Sequence, residues 1–184
     1  QTDEEDAQLA FTSDLRNFGK KDAERDVYLW TFGDEPARQL LSKDTAGVPA
    51  DHKLPSSGLS FSRDGSVLTL SLRQPKIEDL PKILSEDEVA LDLWHYQDGL
   101  LQTMQAKRSD PRKASLMSAY HIADDRLVVL GTPANPRMSL LTDDGKKALQ
   151  SDAKPYEMMV TWDGRYNDYY VVDTADGSRT KIID

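Results

Sequence analysis

Three histidines are the candidates for acid–base chemistry in this sequence, and His95 has the surroundings best suited to it. It stands between Trp94 and Tyr96, and Asp98 follows on the same stretch. A nearby carboxylate can orient an imidazole, as a general base requires. The favoured alternative is a packing or hydrogen-bonding role, because no partner nucleophile for His95 can be named.

The histidines are too few and too scattered for a zinc site of recognised spacing. We expect His52, in a proline-containing loop, to be solvated. His121, on a predicted strand, is expected to point away from the core or to be hydrogen-bonded at its edge. The chain has no cysteine, which excludes disulfides and thiolate ligands. It also has no phosphate loop, EF-hand loop or dinucleotide fingerprint, so no metal and no cofactor is expected.

One serine comes close to a nucleophile motif. The stretch Gly58-Leu59-Ser60-Phe61-Ser62 approaches the Gly-x-Ser-x-Gly elbow, which holds a serine on a sharp turn between a strand and a helix. It lacks the last glycine and continues as a strand. We therefore expect no catalytic residue in this chain.

The elements around these residues read as β-hairpins. In LSFSRDGSVLTL, residues 59–70, apolar and polar side chains alternate on both sides of Asp64-Gly65, which is typical of half-buried strands. Asp hydrogen-bonds its own backbone and Gly accepts a positive φ, so a tight turn is predicted there. The stretch SLLTDDGKKAL, residues 139–149, repeats the pattern with Asp144-Gly145 at the turn.

A second style of hairpin occurs at 26–41, 118–132 and 168–183. Each has an aromatic-rich strand, a turn of small and acidic residues, and a strand with Arg or Lys. Tyr28 and Trp30, at alternating strand positions, are interpreted as core or inter-blade packing rather than a ligand platform. The two styles alternate along the chain, which describes a repeated four-stranded unit, the blade of a β-propeller.

The predicted fold is all-β, with antiparallel four-stranded blades of a β-propeller, about two and a half in number. Residues 8–42 form an incomplete blade, 58–132 a blade with an insertion at 74–114, and 137–184 another blade. Because a propeller closes on itself, this number of blades leaves open faces. We expect a longer native polypeptide, in keeping with a start at Gln1 rather than Met, or self-association through open blade edges. A self-contained β-sandwich is the alternative.

The composition of the chain argues against nucleic acid as a partner and against a membrane-spanning helix. The 184 residues carry a net charge of −9, whereas nucleic-acid binding needs clustered Lys and Arg, so no nucleic acid is expected. No apolar run approaches the length of a membrane-spanning helix.

Two patterns carry a resemblance to a known family. The pattern apolar-x-Phe-Ser-x-Asp-Gly is matched by Phe61 to Gly65, and Asp-x-Tyr-apolar-x-Asp-x-x-x-Gly is matched at 168–177. Both resemble the propeller repeats of the prolyl oligopeptidase and dipeptidyl peptidase family, and of related periplasmic propellers. The stretch LDLWHYQDGLLQTMQ, 91–105, is similar to a segment of its large bacterial members.

The resemblance implies a propeller that covers a hydrolase domain of the same polypeptide, in which Ser, Asp and His perform acyl transfer. The propeller would gate the site and select short peptide substrates in a secreted or periplasmic enzyme. It also implies that Glu86, Asp87 and Glu88 could hold a substrate's amino terminus, the alternative being a solvated acidic loop. With His95 and Asp98 they complete the predicted binding residues. The alternative function is a propeller scaffold for protein–protein interaction in the bacterial envelope, without enzymatic activity.

Overall fold

Three antiparallel sheets follow one another along the described part of the chain. The structure is a computed structural model and describes residues 7–20, 23–33, 36–74, 95–105, 114–135 and 137–183. The first sheet contains β1 (Gln8–Ser13), β2 (Asp26–Thr31) and β3 (Arg38–Leu41). A short 3₁₀ segment, Leu15–Asn17, lies between β1 and β2.

The second and third sheets have four strands each, hydrogen-bonded in chain order. The second contains β4 (Ser60–Phe61), β5 (Val67–Leu72), β6 (Leu116–His121) and β7 (Arg126–Val129). The third contains β8 (Ser139–Leu140), β9 (Lys147–Asp152), β10 (Asp168–Asp173) and β11 (Arg179–Ile183). In the described part of the chain they are accompanied by α1 (Gln102–Gln105) and a 3₁₀ segment (Lys154–Met159).

The prediction of an all-β fold built from antiparallel propeller-type blades is confirmed. In the second and third sheets a hairpin of the Asp-Gly style joins one of the aromatic-rich style, which gives the four-stranded order of a blade. The bounds 8–42, 58–132 and 137–184, and the status of 74–114 as an insertion, stay predictions. Residues 75–94 and 106–113 lie outside the described part.

The second sheet is covered on both faces, and its central strand shows why. In β5, Val67 packs in one apolar cluster with Ala148 and Val172 of the third sheet. Its neighbour Leu68 points the other way, into a cluster shared with the first sheet. Successive side chains of a strand point to opposite faces, and β5 has buried apolar residues on both: Val67 on one face and Leu68, Leu70 and Leu72 on the other. The first-sheet members of that cluster are Ala10, Val27, Leu29, Leu40 and Leu41.

The two Asp-Gly turns are built alike. The Ser62 hydroxyl donates to Asp64 Oδ1 over 2.8 Å, and the Thr142 hydroxyl donates to Asp144 Oδ1 over 2.6 Å. Each carboxylate also accepts from the backbone N–H two residues later. Gly65 and Gly145 have φ values of 72° and 65°, a region that glycine enters without steric cost. The two copies of the sequence pattern therefore form the same turn, through the same local hydrogen bonds.

The first sheet turns a set of aromatic side chains away from its core face. Phe11 stacks on Tyr28, its cross-strand partner, with 5.6 Å between ring centroids. Trp30 meets Phe32 edge to face at 5.8 Å. Val27 and Leu29, at the alternate positions, occupy the core cluster, and Tyr28 and Trp30 are not part of it. Of the two environments predicted for these aromatic residues, inter-blade packing stays a prediction. We call the surface of Phe11, Tyr28, Trp30 and Phe32 the outer aromatic face.

Candidate functional site

His95 and Asp98 lie together in an exposed turn, but their contact runs through the backbone. The carboxylate of Asp98 accepts a hydrogen bond of 3.1 Å from the His95 backbone N–H. The ring nitrogen Nδ1 of His95 accepts from the Gln97 backbone N–H over 3.2 Å. The imidazole also lies against the Tyr96 ring, 4.8 Å between centroids. Asp98 thus shapes the turn, and the proton of a neutral His95 is left on Nε2.

This turn is anchored to the third sheet. A Cβ at Gly99 would lie 2.6 Å from Glu157 Cγ, so the chain passes directly over the 3₁₀ segment at Glu157. A cleft of about 570 Å³ opens beside it, lined by residues that include Leu100, Met104 and Tyr166. Neither His95 nor Asp98 lines it. The acidic residues Glu86, Asp87 and Glu88 lie outside the described residues, and their predicted role stays a prediction.

The remaining motif residues serve the framework. His121 Nε2 lies 2.8 Å from the Thr174 carbonyl, which ties the second sheet to the third. Ser60 is paired with Thr69 in β4 and β5, and its carbonyl accepts from the Thr69 hydroxyl. No histidine among the described residues hydrogen-bonds Ser60.

The residues of the second repeat pattern hold the last hairpin. Asp168 accepts from the Tyr156 hydroxyl over 2.6 Å, which lowers the pKa of its carboxyl, and the Lys181 ammonium lies 3.2 Å away. Asp173 accepts from the Lys147 ammonium at 2.7 Å, which lowers its pKa as well. These carboxylates join β10 to β9, to β11 and to the 3₁₀ segment, so both residues have a structural role here.

His52 contradicts its prediction. It was expected to be solvated, yet only 5% of its side chain is exposed. Its Nδ1 lies 2.8 Å from Asp51 Oδ1, and this hydrogen bond lowers the pKa of the Asp51 carboxyl. Its Nε2 is buried and has no hydrogen-bond partner in the described part of the chain. A bridge between Lys53 and Arg73 pins the loop against the end of β5, which explains the burial.

His52 lies in the wall of a cleft of about 400 Å³, which is formed by the residues before β2, the loop after β3 and the residues after β5. Four basic side chains and two acidic ones line it, together with short apolar residues. We call it the basic cleft. Its charged members are Glu24, Arg25, Lys43, Asp51, Lys53 and Arg73. Sequence reasoning missed this site, and the available signal was Asp51-His52-Lys53, three titratable residues in succession within a loop otherwise rich in small residues.

Two further features are absent from the described residues. They contain no group of three or more His, Asp and Glu side chains placed to hold a metal ion. No helix among them is long and apolar enough to cross a membrane.

Comparison with known proteins gives a distant structural likeness. No protein-family profile matches the sequence, and no curated protein does either. Among solved structures, TolB from Acinetobacter baumannii superposes with a TM-score of 0.38 and 9% sequence identity. The match covers 99% of this chain and 31% of that TolB chain, so this chain spans about a third of its length.

Proposed function

We propose that this chain is a non-catalytic β-propeller segment that works by binding a further sheet on its outer aromatic face. The observation that carries the proposal is the exposure of that face. Phe32 is 77% exposed and Phe11 37% exposed, although both are large apolar side chains. Exposed apolar patches of this kind mark interaction sites, and aromatic residues are enriched there.

The occupant we assign is another antiparallel, blade-like sheet. The first sheet packs face to face on the second, and the second packs in the same way on the third. The outer aromatic face continues this stack in the opposite direction. Phe11, Tyr28 and Trp30 come from β1 and β2, whose other faces already pack on the second sheet, and Phe32 follows directly after β2. A sheet with complementary apolar side chains would extend the series by one blade.

The histidines support a non-catalytic role. A nucleophile needs a base within hydrogen-bonding reach, with a third group to orient that base. His121 contacts a backbone carbonyl, His95 accepts from a backbone N–H, and His52 contacts Asp51. None of the three contacts a hydroxyl in the described residues.

More specifically, we propose that the chain is the propeller part of a secreted or periplasmic serine peptidase of prolyl oligopeptidase type. Its blades would gate a hydrolase domain of the same polypeptide and select short peptides. Support comes from the two repeat patterns of that family, which are matched in sequence at 61–65 and 168–177. In each pattern an Asp carboxylate accepts a hydrogen bond within its own turn. A scaffold for protein–protein interaction in the bacterial envelope is the second candidate, and the outer aromatic face favours it equally.

A fluorophosphonate probe tests this proposal, because it labels activated serines. We expect the isolated chain to remain unlabelled and to leave short peptides intact. Labelling of the isolated chain would overturn the non-catalytic role. The probe should then be applied to the full product of the gene. Labelling of a serine outside these 184 residues is the result expected for the peptidase form, whereas an unlabelled product would exclude that form and leave the scaffold.

A further inference from the structure

The basic cleft places two like charges side by side. Lys53 and Arg73 are direct partners in an antiparallel bridge, joined by backbone hydrogen bonds of 2.6 and 2.8 Å. Directly opposed residues on such a pair project to the same side, and like charges there repel each other. Both side chains line the cleft. Because the bridge is made by backbone atoms, the side chains are free to serve another purpose.

The carboxylates of the cleft are engaged elsewhere. Glu24 forms an ion pair with Lys43 at 3.2 Å, and Asp51 hydrogen-bonds His52. Within the described ranges, neither Lys53 nor Arg73 has a carboxylate partner. The guanidinium of Arg25 makes one long contact, 3.5 Å, to the Ser56 carbonyl. Three cations that have no carboxylate partner among the described residues therefore line one cleft, in a chain with 32 acidic and 23 basic residues.

The second feature of the basic cleft is the ring of His52 in its wall. Since a carboxylate only accepts hydrogen bonds, the Nδ1 that faces Asp51 carries a proton. In the neutral ring Nε2 is then an acceptor, and it is buried without a donor. A ligand that reached this nitrogen would need an N–H or O–H group close to its anionic group. Ala23, Ala50 and Leu54 offer apolar walls for a short side chain.

We propose that the basic cleft binds the carboxyl-terminal end of a short peptide. The terminal carboxylate would lie between Lys53 and Arg73, where it relieves their repulsion, with Arg25 at the rim. The last peptide N–H provides a donor toward His52, and a small terminal side chain contacts the alanines. This assignment is independent of the outer aromatic face and of any hydrolase domain.

The test is calorimetric titration of the chain at low ionic strength with N-acetyl-Ala-Ala and with its carboxyl-amidated twin. We expect the free acid to bind at least about tenfold more tightly than the amide, a difference of one strong charged contact. Lys53→Gln and Arg73→Gln should each weaken binding of the acid by about tenfold or more. These variants keep the backbone bridge. Arg126→Gln, an exposed arginine outside the cleft, is the matched control and should change nothing.

Three results would overturn the inference. The acid and the amide could bind equally, which would show that the carboxylate is not recognised. The second such result is that neither the acid nor the amide binds at millimolar concentration. Inorganic phosphate could bind as tightly as the acid, which would show attraction of any anion without recognition of a peptide terminus.

Discussion

Ser66, in the turn of the second sheet, donates a hydrogen bond of 3.1 Å to the backbone carbonyl of Asp144, in the equivalent turn of the third sheet. The two repeats of the sequence are therefore in contact with each other in the fold. The contact is tight: a Cβ at Gly145 would lie 2.9 Å from the Cβ atoms of both Ser62 and Val67. The turns interlock, and they set the distance between neighbouring blades.

We predict that Gly145→Ala is strongly destabilising. The added methyl group clashes with Ser62 and Val67, and the φ of 65° is itself unfavourable for alanine. The two effects together should cost about 2–4 kcal/mol of unfolding free energy. Gly58→Ala is the matched control, because its φ of 81° is similar but nothing lies within 4 Å of an added Cβ. Urea denaturation should show a loss of only about 1–2 kcal/mol there, and equal losses would refute the interlock.

The Asp144 carboxyl should titrate at unusually low pH. Hydrogen bonds from the Thr142 hydroxyl and from Lys146 lower its pKa from 3.8 to about 2. A folded-state pKa below the unfolded value stabilises the fold above about pH 4, and this contribution is lost as the pH falls through about 2. We expect Thr142→Ala to raise the pKa of Asp144 toward 3.8 in a ¹³C carboxyl NMR titration. Thr180→Ala, on exposed β11, should leave it at about 2, and an unshifted Thr142→Ala titration would contradict the assigned cause.

Tyr120 should matter for stability through its hydroxyl group. The side chain is fully buried, and its hydroxyl donates a hydrogen bond to the Asp125 carboxylate. The pKa of Tyr120 is raised, mainly by burial and to a smaller extent by this hydrogen bond. Tyr120→Phe should cost about 1–2 kcal/mol in urea denaturation, since Asp125 is exposed and water can replace part of the bond. The control Tyr96→Phe, at 83% exposure, should stay within about 0.5 kcal/mol. A Tyr120→Phe effect no larger than the control would show that the bond contributes nothing.

Asp98 should act on the backbone of its turn. Asp98→Ala removes the acceptor of the His95 N–H, so exchange of that amide hydrogen should accelerate about 3–10-fold. Asp98→Asn keeps a carbonyl acceptor and serves as the control, with a change within about twofold. Hydrogen exchange measured by NMR distinguishes the two. Unchanged exchange in Asp98→Ala would mean that the turn does not depend on this carboxylate.

The sequence predicts the hairpins well because their chemistry is local. In both Asp-Gly turns the Asp carboxylate accepts a hydrogen bond from the backbone N–H two residues later, and the Gly has a positive φ. Both features depend only on residues adjacent in sequence. The alternation of hairpin styles then suffices for the blade order. Local patterns do not show which face of a strand is covered, so for Tyr28 and Trp30 they leave core packing and inter-blade packing as alternatives.

The basic cleft could not be predicted, because it depends on contacts between distant parts of the chain. The loop at 43–57 has no apolar periodicity that would indicate burial, and His52 becomes buried only when Lys53 pairs with Arg73 at the end of β5. Charge counting also fails here. A chain of net charge −9 gives no sign that its cations converge on one cleft.

Sedimentation velocity of the isolated chain over a range of concentrations tests the central claim most directly. If the outer aromatic face is made to bind a further sheet, a second copy should occupy it, and the mass should rise above the 20.7 kDa of one chain as concentration increases. Phe11→Asp should keep the chain monomeric, whereas Tyr96→Asp, in the exposed turn, should associate like the unaltered chain. A single 20.7 kDa species at every concentration would contradict the account.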